Sequence, residues 1–186
     1  MRFLKTNSAT NFKSLCSVVI ILSFLFFPKV HPKDFSEYDV KAVYLYNFVD
    51  FMTWPTDDRV TSKTICVFGP NPFKRTLDNL AKSKNPINGI VIEYLQKLKN
   101  INDCHILFVS KAEEKRFSEI IKLVEEQSVL MVSDIPKFVY KGGMVGLTTD
   151  SERIRLEVNL RLVEEHGIKI DSNLLEISTI VDTSGG

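Results

Sequence analysis

Three short, almost uninterrupted apolar runs constrain this chain more than anything else in it: TICVFG at 64–69, HILFVS at 105–110 and VLMVS at 129–133. Runs of that length, bounded by turn residues and without polar alternation, imply strands buried on both faces. Helix-length stretches separate them. Asn71-Pro72 sets a helix N-cap before a proline at the first helical position, which predicts a helix to about Ala81. Asn88-Gly89 turns the chain into a further strand at 90–95, and Ser110 and Glu113 have capping-box spacing ahead of a helix carrying Phe117, Ile120, Ile121 and Val124. Strands alternating with helices predict an α/β fold, a mostly parallel sheet flanked by helices on both faces.

The last third changes pattern. Gly142-Gly143 leads into residues 144–149, a turn at Asp150-Ser151-Glu152 follows, and RIRLEVN at 153–159 alternates strictly between apolar and polar. That predicts a C-terminal antiparallel hairpin with one wet face, on which Arg155, Glu157 and Asn159 line up. Asn159 also stands where it would cap a helix at 160–166 closed by Gly167, and Ser172 is expected to cap a last helix through about Val181. Near the other end, residues 36–54 place Val40, Val43, Tyr44, Phe48, Phe51 and Met52 at helical spacing behind Ser36 as N-cap, with Pro55 ending the element.

Residues 1–31 have a different composition. Arg2, Lys5 and Lys13 precede the apolar run LCSVVIILSFLFF at 15–27, the layout of a secretory leader, either cleaved or kept as an anchor. Its loss removes four basic residues and no acidic one, leaving 20 Lys+Arg against 23 Asp+Glu, a charge of about −3. A mildly acidic domain without basic blocks lacks the phosphate-neutralising footprint of a nucleic-acid binder. The expected organisation is therefore the leader, one α/β domain over 35–182, and a tail at 183–186. Cys66 and Cys104 are the two cysteines left after the leader, an even number in a chain bound for an oxidising compartment, and are the candidate disulfide.

No motif carries catalysis. His31, His105 and His166 have no metal-ligand spacing, so no metal is expected, and neither a phosphate-binding loop nor a nucleophile elbow is present. Gly69-Pro70-Asn71-Pro72 joins a strand to a helix, but its prolines remove two of the backbone donors an anion would need. Asp134 alone stands at a strand end, too little for phospho-receiver chemistry.

These residues resemble the YfiR-like periplasmic proteins. The resemblance runs through YDVKA at 38–42, YLYNF at 44–48, WP at 54–55, ICV at 65–67, NPF at 71–73, CHILF at 104–108, VSD at 132–134, GGMVG at 142–146 and RLEVNL at 155–160. It implies a non-enzymatic periplasmic regulator without cofactor, which represses a membrane diguanylate cyclase, or another inner-membrane sensor, by binding its periplasmic region. It also implies an outer-membrane lipoprotein as a second partner and a Cys66–Cys104 pair. The expected partner surface is Arg155, Glu157 and Asn159, joined by an aromatic patch of Tyr46, Phe48 and Trp54. A small-ligand receptor built on that aromatic patch is the alternative, and a homodimer stays open.

Overall fold

The structure is a computed structural model that describes residues 35–55, 62–83, 89–151 and 153–183. Residues 1–31, the expected leader, and the segment 184–186 lie outside the described residues.

A seven-stranded sheet organises the domain. Its strands are β2 (Lys63–Phe68), β3 (Ile90–Leu95), β4 (Ile106–Val109), β5 (Leu130–Ser133), β6 (Val145–Asp150), β7 (Arg153–Val158) and β9 (Thr179–Ile180). They lie in the order β3-β2-β4-β5-β6-β7-β9. The first five are mutually parallel, and β6 and β7 form the antiparallel hairpin, with Gly146 opposite Glu157 and Thr148 opposite Arg155. Every residue of β4 and β5 is buried, which is why these runs carry no polar alternation.

Helices cover both faces. The helix α1 (Glu37–Phe51) and the segment entering α2 (Thr76–Ser83) lie on the face of Phe108, where Phe73 packs edge-on at 4.7 Å between ring centroids and meets Tyr38 at 6.1 Å. Met131 is one register step from the partner of Phe108 and so points to the opposite face, where it shares a cavity wall with Ile121 and Val124 of α3 (Phe117–Val124). Two short helices, α4 (Leu160–Glu165) and α5 (Ser172–Glu176), complete the chain. None of the helices among the described residues is long and apolar enough to cross a membrane.

Four boundaries depart from the sequence pattern, each for a tertiary reason. Ser36 forms a full capping box with Asp39, but α1 stops at Phe51. Met52–Thr53 instead forms β1, paired antiparallel with β8 (Lys169–Ile170), and Asp171 N–H bonds Phe51 C=O at 2.8 Å. Asn71 does not start a helix. Its Oδ1 accepts from Phe73 N–H at 2.9 Å and its Nδ2 donates to Lys74 C=O at 3.0 Å, an Asx turn that, with Lys74 at φ 53°, delays α2 to Thr76 and drives Phe73 into the core. Ser110 makes no side-chain cap; a 3-10 turn over Lys111–Arg116 precedes α3, and its first N–H is taken by Asp134 from the neighbouring strand. The last helix is capped by Asp171 rather than Ser172 and ends at Glu176, because the outer edge of β7 captures Thr179–Ile180 as β9. Gly143 is fixed by packing, since a Cβ there would meet the Phe138 ring at 2.3 Å.

Cys66 on β2 and Cys104 just before β4 form a disulfide, with their α carbons 5.8 Å apart. The bridge closes a sequence separation of 38 residues across the adjacent strands β2 and β4. On the chain-entropy account such a loop stabilises the fold by about 4 kcal/mol. Cys66→Ser is therefore expected to lower the melting temperature by several degrees, on the order of 10 °C, in a thermal scan of protein purified without reductant. An unchanged melting temperature would contradict this.

Candidate functional site

A polar cleft of about 470 Å³ opens where the ends of three parallel strands meet the first turns of α1. Lys111 comes from the segment after β4, Asp134 from the residue after β5, Thr148 and Thr149 from the end of β6, and Glu37, Tyr38 and Lys41 from α1. Carboxyl ends of parallel strands are where open α/β sheets place their binding crevices, because the loops there converge without covering the sheet edge.

Lys41 lies on the inward stripe of α1 with Leu45 and Phe48, and the residue is only 3% exposed. Burying an ammonium group costs several kcal/mol unless it is paired. Its Nζ contacts Glu37 one turn earlier and lies 3.6 Å from Asp134 Oδ2 and 5.0 Å from the centre of the Tyr38 ring. Asp134, its side chain 2% exposed, accepts from Tyr38 O–H at 2.7 Å and from Lys111 N–H at 3.0 Å. Thr149 donates to Glu37 at 2.7 Å. The hydrogen bond from Lys41, then that from Thr149, hold the Glu37 carboxyl below the usual glutamate range. Burial first, then the bond to Asp134, push the Tyr38 phenol up, so it stays a donor at any physiological pH.

Glu157 forms the far wall. It stands opposite Gly146, where a Cβ would lie 3.3 Å from its Oε2, so the glycine leaves room for the carboxylate to lie across β6. Oε2 is shut off from solvent and has no hydrogen-bond partner. Burial raises the Glu157 pKa, opposed only by the charge of Arg155.

Of the residues expected to share one wet face, Arg155 and Glu157 lie two apart on β7 and take the same face, whereas Asn159 does not. Arg155 is exposed and ion-paired with Asp150. Asn159 is 2% exposed: its Oδ1 caps α4 at Leu162 N–H (3.0 Å) and its Nδ2 donates to Thr183 (2.9 Å). It lies just past the end of β7, where the chain turns into the helix, so the alternation that directs Glu157 no longer applies. The aromatic patch is not a surface either. Tyr46, Phe48 and Trp54 are 4%, 0% and 3% exposed and belong to the core. The Trp54 indole N–H donates to His105 C=O at 3.1 Å, anchoring the end of α1 at the opposite, amino edge of the sheet. Lys41, Asp134, Tyr38 and Glu37 were not singled out by sequence reasoning as a site. The legible signal was a lysine on the buried stripe of an amphipathic helix.

Among the described residues no group of three or more His, Cys, Asp or Glu has the geometry of a metal site. The family model of YfiR/HmsC-like proteins matches residues 38–179, which include the disulfide and, except for Glu37, all of α1 and every residue lining this cleft.

Glu157→Gln tests the burial of the carboxylate. A folded-state pKa above the unfolded one means that the wild type has its full stability below the unfolded value and loses part of it as pH rises through the folded value. The glutamine variant is expected to melt higher than wild type at pH 7, by a few degrees, with the gain vanishing below the ordinary glutamate pKa of about 4.3. Thermal scans across that range check it; a pH-independent difference contradicts it.

Proposed function

The chain belongs to the YfiR/HmsC-like family, and on that premise we propose that it is a non-enzymatic periplasmic regulator that binds and represses the periplasmic sensor region of a membrane diguanylate cyclase. Family membership is consistent with a regulator in cyclic-di-GMP signalling, and it carries the proposal. Two further features support it. The basic and apolar blocks of residues 1–31 are the layout of an export signal, and an internal disulfide suits an oxidising compartment. The cleft, with Lys41 and Asp134 locked together, has the character of a recognition surface: its charges are held by one another and by backbone rather than poised for proton transfer. An outer-membrane lipoprotein that competes for the same protein is part of the proposal.

Co-expression with a membrane diguanylate cyclase of the same genome, with cyclic-di-GMP measured in cell extracts, tests the reading. The exported protein is expected to lower the nucleotide severalfold, and a form starting at Lys33 to leave it unchanged. Equal nucleotide levels with and without the exported protein, for each such cyclase, would contradict the reading.

A further inference from the structure

The carboxylates of the cleft are not equivalent. Asp134 has donors on both oxygens, and Glu37 Oε1 receives Lys41 and Thr149. Glu157 Oε2 is shut off from solvent and receives nothing. A buried carboxylate oxygen without a donor costs free energy that a native fold rarely leaves uncompensated, so the charge of the Glu157 carboxylate, which lines the cleft, has the most to gain from an outside cation. Gly146 has made room for that oxygen, so its position is built into the sheet.

The surroundings define the donor. Lys111 and Lys137 line the same cleft and are exposed, so their charges sit in water, whereas the Glu157 oxygen is shut off from it. Lys137 is held there by a left-handed backbone, φ 57°, immediately after Pro136. The complement of this pattern is one cation that reaches inward, with anions beside it. The lining is chiefly carboxylates, ammonium groups and hydroxyls, whereas sites that enclose small molecules are mostly apolar. A group that enters such a cleft therefore gains its affinity from the surface that presents it.

We propose that the cleft receives a single lysine or arginine side chain of a protein partner, flanked by acidic residues, with Glu157 accepting the cationic head and Lys111 and Lys137 facing the acids. This rests on the reading of the chain as a partner-binding regulator and gives the chemistry of the contact. Rim charges of this kind speed and orient the encounter, and the enclosed pair decides how long it lasts.

The experiment is a double-mutant cycle on the exported protein, purified from the periplasm and confirmed folded by its thermal melt. Acetyl-Glu-Lys-Glu-amide and acetyl-Glu-Gln-Glu-amide are titrated while the backbone amides of Gly146, Thr148 and Glu157 are followed by NMR. On the native protein the lysine peptide is expected to saturate these shifts and to bind about tenfold or more tighter than the glutamine peptide; on Glu157→Gln, an isosteric change, the two should agree within about twofold. Equal affinities on the native protein, no saturation by the lysine peptide, or undiminished discrimination by Glu157→Gln would each overturn the proposal. Free lysine binding tighter than the blocked peptide would overturn it in favour of a small amino compound. The cyclase co-expression measurement is independent: its failure with the cycle intact removes the regulator reading, and its success with the cycle failed removes only the cation contact.

Discussion

A buried ion pair joins the helical layer to the sheet. Asp134, at the end of β5, takes a hydrogen bond from Tyr38, another from the backbone of Lys111, and the charge of Lys41. Three segments distant in sequence thus meet at one carboxylate. Each ion alone would be expensive to bury; together, with Glu37 beside Lys41 and two donors on Asp134, they fix the first turns of α1 over the strand ends. The cleft exists because α1 is held there. Its walls are the residues that this pair positions, and Glu157 faces them from the hairpin.

The sheet was legible because the strands are buried on both faces. Such strands must be apolar throughout, so TICVFG, HILFVS and VLMVS could be little else. The hairpin was legible from its alternation, but Asp150, expected in the turn, is the last residue of β6 and pairs with Arg153, so the register is one step from that of a three-residue turn. What sequence could not supply were partners from elsewhere. The cap of the segment after β4 is a carboxylate 23 residues away, not the local Ser110. The end of α1 is set by β8, and the last expected helix gives way to β9 because β7 offers an open edge. Asn71 and Pro72 carried a helix-start signal, but the Asx turn used the same asparagine to seat Phe73 against Phe108.

The site was legible in one residue of three on the hairpin. Glu157 lines the cleft, whereas Arg155 is spent on Asp150 and Asn159 on its helix. The difference is physical: alternation states which face a side chain takes, and says nothing of where the strand ends or what the neighbouring strand leaves open. Gly146 leaves space beneath Glu157, a cross-strand relation visible only once register is known. Tyr46, Phe48 and Trp54 were conspicuous for the ordinary reason that large aromatics fill cores. Lys41 was the overlooked signal, a charge on a stripe otherwise made of Leu45 and Phe48.

Because the Lys41–Asp134 pair fastens α1 to the sheet, the two residues are energetically coupled. Urea unfolding of Lys41→Met, Asp134→Asn and the double variant measures this directly. Each single change, which leaves Asp134 with Tyr38 and the Lys111 N–H or leaves Lys41 with Glu37, should cost about 1–3 kcal/mol, and the double variant should cost less than the sum by about 0.5–3 kcal/mol. Additive losses, or single changes that leave stability within about 0.5 kcal/mol of wild type, would contradict the account.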